Sequence, residues 1–318
     1  MNSTNYGRTE LMTHIFAGNP MDRCEAERRD EGWIAAALTK PSTRILVFHK
    51  LQILTDSANS TSKLVWLDSE RVVPHLGSVV PVLLGRQGDT VHFAADVSHL
   101  PEPMVSLGLT ATNQFTDCRM AAMQMAIPET GVIAQARAQV DWHVRHRFCS
   151  VCGTQSVARK GGHVRVCPSC KAEHFPRTDP VAIMLVVDGD RCILGQPKGP
   201  LVRTGIYSAL AGFIDQGESI EEAVRREIME EAGLKVGAVR YHSSQPWPFP
   251  SSLMIGCHAQ ATTTDIHMDT EEMHDVRWFT RDEVLAARAG THPSLKLPGP
   301  IAIAHHLINA WVDGPIDL

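Results

Sequence analysis

The alternation of apolar and polar positions divides the chain into stretches of different period. Up to about Ile127, short apolar runs at 33–38, 45–48, 64–67 and 79–84 are separated by polar and Gly-rich turns. Runs of that length between turn signals predict strands, so 1–127 reads as a β-rich N-terminal domain. The period then changes. Ile133, Ala136, Val140 and Val144 recur at helical spacing and predict a connecting helix within 128–148 that packs on a core. From Pro180 the pattern is again strand, turn, strand: 181–187, the turn Asp188-Gly189-Asp190, then 192–195. Helical period returns at 219–232, 274–279 alternates as a strand, and 301–312 reads as a helix.

With 318 residues, 43% of them hydrophobic and 20% charged, the chain has the make-up of a globular protein of two or three units. A formal charge of −5 excludes a protein that coats nucleic acid broadly and leaves only local contact. The first ten residues are polar and lack an apolar signal core, and runs such as 181–187 are too short to span a membrane. A cytoplasmic location without membrane contact is the expectation. Of the eight cysteines, Cys24, Cys118, Cys192 and Cys257 stand singly, and the other four are grouped.

That group, Cys149-Ser-Val-Cys152 and Cys167-Pro-Ser-Cys170, makes two C-x2-C knuckles with fourteen residues between them. Four thiolates so spaced close a tetrahedral zinc site with no open position, a structural rather than catalytic arrangement. Gly153 and Gly161-Gly162 suit its turns. Disulfide or merely buried cysteines are the alternative, and a redox C-x-x-C a weaker one. The ribbon, 149–176, lies in a basic part of the chain, with His143, Arg145, His146, Arg147, Arg159, Lys160, Arg165 and Lys171. Such a face is solvated or contacts phosphate, and charge reversal at Arg159, Lys160 and Arg165 is expected to weaken any RNA contact.

The stretch from Gly212 to Leu234 carries the chemistry. Ser219 and Glu222 form a capping box, and Gly233 is placed to end the helix. Ile220 and Val224 define its inward stripe, and Glu227 and Glu231 fall on that same stripe. With Glu230, three acids stand at i, i+3 and i+4, where like charges repel. A hard divalent cation, Mg2+ or Mn2+, removes the conflict and points to phosphoryl chemistry. The bland alternative is a solvated acidic helix.

Gly212, Glu218, Arg226-Glu227-Ile228, Glu230-Glu231 and Gly233-Leu234 match the Nudix box, G-x5-E-x7-R-E-U-x-E-E-x-G-U with U aliphatic, at every specified position. The resemblance implies an α/β/α sandwich with a mixed sheet over 177–318, here preceded by the ribbon and the β-rich domain. It implies metals held by Glu227, Glu230 and Glu231, with Arg226 and Glu218 bracing the loop.

Downstream, Ser244-Gln245-Pro246-Trp247-Pro248-Phe249-Pro250-Ser251-Ser252 holds two aromatics in a backbone stiffened by proline, a wall suited to a flat ring. Read blandly, it is a linker or polyproline ligand. The run resembles the SQPWPFPxS signature of NADH pyrophosphatases, which also place a four-cysteine ribbon before the box. That resemblance extends from about Arg119 to His306 and matches the N-terminal third loosely. It implies a homodimer that hydrolyses NADH and NAD to nicotinamide mononucleotide and AMP and removes NAD caps from the 5' ends of RNA. It places Ala211, Glu227, Glu231, Glu272 and Ala304 around metal and substrate, with Glu271 adjoining Glu272 as a rival acid. Gln245, Pro246, Trp247, Pro248, Phe249, Pro250, Ser251 and Ser252 would hold the dinucleotide. Phe175 stands where some relatives have a substrate-contacting Tyr, Gly162 where some have an acid, and Arg119 is assigned to phosphate, a dimer interface or plain surface. Glu231 is expected to activate water.

Two other functions fit parts of the sequence. A hydrolase of ADP-ribose or dinucleoside polyphosphates leaves the aromatic run and the ribbon unexplained. A zinc-ribbon regulator with a vestigial Nudix domain is disfavoured by the complete set of box acids.

Overall fold

The apolar run at 33–38 is helical, within α1 (Glu31–Leu38), where its length predicts a strand. Asp30 accepts hydrogen bonds from the Gly32 and Trp33 amides and so caps the helix, and Ala35-Ala36-Ala37 favours it intrinsically. Six apolar residues in a row carry no period that could have decided between the two. The computed structural model describes residues 14–57 and 62–318, and the polar 1–10 stretch lies outside them.

The other early runs form strands. β1 (Arg44–His49), β2 (Gln52–Asp56), β3 (Lys63–Leu64), β4 (Trp66–Asp68), β5 (Val82–Gln87), β6 (Thr90–Asp96) and β7 (Asn113–Thr116) make one sheet, interrupted by the short helices α2 (Ser69–Val72) and α3 (Pro103–Ser106). Its order is β3-β2-β1-β6-β5, with β4 also on β1 and β7 on β2. β1 and β6 are parallel, with Ile45 opposite Phe93 and Val47 opposite Ala95, and these four are buried together with Leu83. After the short α4 (Cys118–Ala122), α5 (Ile127–Arg145) buries Val132, Ile133, Ala136 and Val140 and packs on β1, β5 and β6. The helix predicted as a connection is therefore a layer of the N-terminal domain. β8 (Val157–Arg159), β9 (Val164–Val166) and β10 (Glu173–His174) form the small antiparallel sheet of the ribbon.

The second sheet contains β11 (Asp179–Asp188), β12 (Arg191–Pro197), β13 (Leu210–Phe213), β14 (Val236–Trp247), β15 (Ser252–Ala261) and β16 (Met273–Thr280). The order is β14-β15-β11-β12-β16, with β13 on β11. α6 (Ile220–Ala232), α7 (Arg281–Arg288) and α8 (Ile303–Asp313) cover it. Strand parity explains how one continuous apolar run serves two cores. Ala182, Met184 and Val186 of β11 pack with Val224 and Ile228 of α6. Ile183, Leu185 and Val187 pack with Val284 of α7 and Leu307, Ile308 and Trp311 of α8. The result is the α/β/α sandwich.

Contacts divide the chain into two compact units, one holding Pro180–Gln245 and Met254–Leu318 with His14, the other Ile15–Asp179 and Pro246–Leu253. In the first unit, His14 Nε2 and His242 Nδ1 each lie 2.7 Å from Ser243 Oγ, and the His14 ring stands 4.5 Å from that of His306. Burial, then the neighbouring imidazoles, lowers His14 and His242 to about 4. Because their folded values lie below the ordinary 6.5, the stabilisation is fully present above pH 6.5 and is lost as pH falls toward 4. Thermal melts should therefore show stability falling through that window, and less steeply in His14→Gln. A melting temperature flat between pH 7 and 4 would refute this.

Candidate active site

α6 starts and ends as its sequence dictates. The Ser219 hydroxyl accepts from the Glu222 amide while the Glu222 carboxylate accepts from the Ser219 amide, and Gly233 closes the helix at φ 67°. Val224, Ile228 and Ala232 are buried, and so are Glu227 and Glu231, while Glu230 is exposed. The acids share the inward stripe, as their spacing predicts.

Arg226 organises the loop before the helix. Its Nε and Nη2 donate to both Glu218 oxygens at 2.6 and 2.7 Å, and Nη2 also donates to the Phe213 carbonyl at 2.8 Å. Nη1 reaches Glu227 at 2.7 Å and Glu230 at 2.9 Å. These bonds hold the Glu218 carboxyl down at about 2, chiefly through Arg226 itself. Gly212, on β13, passes so close to α6 that a Cβ there would lie 1.9 Å from Glu227 Cδ. Gly212→Ala is therefore expected to push Glu227 out of place, costing roughly 1–3 kcal/mol of stability and most of the turnover. A denaturant titration paired with a rate measurement checks it, and wild-type values for both would contradict the packing.

Glu231 has no counterpart to Arg226. Its Oε2 is buried and has no hydrogen-bond partner among the described residues, and its carboxyl is pushed up to about 8 by burial and then by Glu227, Glu272 and Glu230. Glu227 is raised too, by burial first, with Arg226 opposing. Carboxylates whose charges reach an unsatisfied buried oxygen fit a hard divalent cation, which would supply the missing charge. Glu272 is the downstream acid whose charge reaches both Glu227 and Glu231. The Glu271 amide donates to Asp269 in the turn that both acids occupy before β16.

The remaining expected residues are placed as follows. Ala211 lies on β13 opposite Ile183, beside Gly212, and Ala304 is buried in the first turn of α8. Gln245 is fully buried. Its amide donates to the Ile301 carbonyl and its oxygen accepts from the Ile303 amide, both at 2.8 Å. It thus caps α8, whose own N-cap, Ala302, offers no side chain to do so. Spacing gave no hint of that. Phe213, an unspecified position of the box, is 59% exposed next to Gly212 and is a candidate contact that the motif did not flag.

In the other unit, Trp247 and Phe249 stand edge to face 5.3 Å apart, and Phe16 meets each of them. Arg119 lies over Phe249 at 3.7 Å and Arg137 at 4.5 Å, while Arg137 also donates to the Pro248 carbonyl. Ser251 donates to Asp179 at 3.0 Å. Stacking guanidinium planes fix the run. Arg137 escaped the sequence reading because its partner lies 111 residues away.

The four ribbon sulfurs lie within 4.8 Å of one another, with Cys149 to Cys170 at 3.6 Å and Cys152 to Cys167 at 3.4 Å. None is in a disulfide, and the spacings suit four thiolates around one zinc. Arg165 corrects an expectation: it is buried, bonded to Ser156 and to His143 Nδ1, and has no surface to offer RNA. Gly162 is buried as well. Its carbonyl bonds His143 Nε2, and a Cβ would crowd that ring at 3.0 Å, so an acid there has no room.

Three family models match the chain: an NADH pyrophosphatase-like rudimentary NUDIX domain over 42–142, an NADH pyrophosphatase zinc ribbon domain over 145–175, and a NUDIX domain over 176–297. The first takes in β1 to β7 and most of α5, where the sequence resemblance was loose. The NAD-capped RNA hydrolase NUDT12 of Macaca fascicularis is 37% identical, over 95% of this chain and 74% of its own. The NAD-capped RNA hydrolase of Schizosaccharomyces pombe is 33% identical, over 94% and 93%. The mitochondrial NAD(P)H pyrophosphatase NUDT13 of Homo sapiens is 41% identical, over 68% and 63%.

Proposed function

The chain belongs to the NADH pyrophosphatase and NAD-capped RNA hydrolase family of Nudix hydrolases, and on that premise we propose how its site works. It hydrolyses NADH and NAD to nicotinamide mononucleotide and AMP, and it removes NAD caps from RNA to leave a 5'-monophosphate end. The observation that carries this reading is the buried, unpartnered oxygen of Glu231 amid Glu227, Glu230 and Glu272.

Glu227, Glu230, Glu231 and Glu272, with the Ala211 carbonyl, would hold the cation. Mg2+ or Mn2+ there supplies Lewis acidity to the diphosphate oxygens. Glu231, the buried carboxylate of the site, takes the proton from the attacking water. Water oxygen bonds to phosphorus as the bridging P–O bond breaks, and the departing monophosphate leaves with its electron pair. Arg226 and Glu218 keep the loop fixed around Glu227 during this exchange. The run from Pro246 to Ser252 holds the dinucleotide, with the half-buried Trp247 and Phe249 as a braced aromatic wall and Phe175 as an exposed ring of the same unit. Ala304 lines the site from α8, and Gln245 acts by capping that helix.

Chelation should abolish turnover, and Mg2+ or Mn2+ should restore it. Chromatography of the products from NADH, NAD, NAD-capped RNA and ADP-ribose tests the substrate class. Hydrolysis of ADP-ribose with no cleavage of any nicotinamide dinucleotide would overturn the reading.

Family resemblance supports a homodimer, and eight unpaired cysteines support a reducing, cytoplasmic location. A single-chain mass in light scattering removes the first, and cell fractionation checks the second. Among the described residues no helix is long and apolar enough to cross a membrane.

A further inference from the structure

Between 145 and 175 the chain carries six Lys or Arg against one acid, Glu173, although the whole protein is formally −5. Arg165 is internal, and Arg145 pairs with Asp141. Arg147, Arg159, Lys160 and Lys171 are exposed. The same segment leaves large apolar groups uncovered: Phe148 is 64% exposed, Val151 72%, Val157 40% and Phe175 61%.

Strand register shows which of these share a face. Phe148 bridges Gln155 in antiparallel fashion, flanked by the bonds of the Ser156 amide to Arg147 and of the Cys149 amide to Thr154. Side chains alternate along a strand, so Phe148, Gln155, Val157 and Arg159 point one way and Ser156 and Ala158 the other. Burial follows the alternation: Ser156 and Ala158 are inside, and Phe148, Val157 and Arg159 outside. The outer row continues across the sheet from Val157 to Val166 to Glu173, and Phe175 follows two residues later.

An outer row with exposed aromatic rings and Arg159 in the same register matches one class of ligand. Every base offers a face for stacking on an aromatic ring, while guanidinium and ammonium groups meet the phosphates. Paired RNA hides its base faces, so the strand must be unpaired. Four exposed cations stand against two acids, Glu173 in the outer row and Glu31, whose carboxylate accepts from the Lys160 amide, and that excess favours a polyanion rather than a neutral protein surface.

We propose that this face of the ribbon docks the unpaired nucleotides that follow the cap, with a base on Phe148 and phosphates at Arg159 and Lys160. The proposal rests on the decapping reading above, which places Phe175, at the edge of the same face, against the substrate. The ribbon zinc then serves recognition as well as stability, because it holds the knuckle that presents Phe148.

Phe148→Ala and Arg159→Glu, neither assigned to catalysis, are to be compared with the unaltered protein, zinc content being measured for each. The substrates are free NADH and an NAD-capped single strand of roughly 16 nucleotides, the upper end of the site sizes of single-strand-binding OB-folds. Each variant should lower kcat/KM on the capped strand about tenfold and leave NADH hydrolysis unchanged. Arg159→Glu should also flatten the salt dependence of decapping. Equal losses on both substrates, or none on the capped strand, overturn the proposal. Conversion of a dimer to a monomer by Phe148→Ala also overturns it and marks the face as an interface between copies. If the unaltered protein hydrolyses NADH but no capped strand, the decapping reading itself has failed.

Discussion

Glu231→Gln is expected to lower turnover by roughly 10²–10⁴-fold, the range for loss of a positioned acid or base, while the protein remains folded. The two parts of the result have one cause. Glu231 sits buried on α6 with one oxygen unbonded, and burial with its acidic neighbours pushes its carboxyl up to about 8. In the metal-free protein at neutral pH it is held largely in its protonated form, which glutamine matches in shape and charge. Folding therefore loses nothing, and the melting temperature without divalent ions should stay level or rise. Catalysis loses both the negative ligand and the group that accepts the proton from water. Kinetics at saturating Mg2+ and calorimetry in chelator give the two readouts. Full activity would remove Glu231 from the mechanism. A large fall in melting temperature would mean that the carboxylate is structural.

Cys167→Ser should release the zinc and unfold the ribbon, the largest stability effect expected of any single substitution in the chain. Structural zinc sites of this kind hold on the order of 10 kcal/mol of folding free energy, and three thiolates do not close a tetrahedral site. Cys167 is fully buried, 3.4 Å from Cys152, and its backbone amide and sulfur both take part in the knuckle. The strands of the ribbon sheet are only two or three residues long, and although Arg165 and Gly162 tie the sheet to His143, the knuckles themselves depend on the metal. Elemental analysis should give one zinc per unaltered chain and none in the variant, with proteolysis then cutting within 149–176. Stoichiometric zinc and an unchanged melting curve would contradict the assignment.

How far the sequence reached can be judged from single elements. The ends of α6 were legible because caps are local: Ser219 with Glu222, and Gly233, act within four residues of the groups they satisfy. The inward placement of Glu227 and Glu231 was legible because helical period fixes which positions share a face. The cysteine knuckles were legible for the same reason, since two residues between ligands leave little conformational choice. α1 was not, because six consecutive apolar residues satisfy strand and helix alike until Asp30 caps the run.

Other features depended on partners far along the chain. Gly212 reads as a motif glycine, but its necessity appears only when β13 passes against Glu227. Gln245 reads as a substrate contact, and the structure gives its amide to Ile301 and Ile303, 56 and 58 residues on. Arg165 reads as one more surface cation, yet Ser156 and His143 hold it inside. The exposed face with Phe148 and Arg159 required the register of three strands.

By itself, then, the sequence determined the reaction class, the spacing of the cysteine knuckles and of the acids, and the helix that carries those acids, because capping, period and short ligand loops are properties of neighbouring residues. Tertiary structure alone decided which charges are buried, which carboxylate is left without a partner, and which aromatic rings face solvent. Those depend on desolvation and on contacts between residues tens to more than a hundred positions apart, which no local pattern encodes.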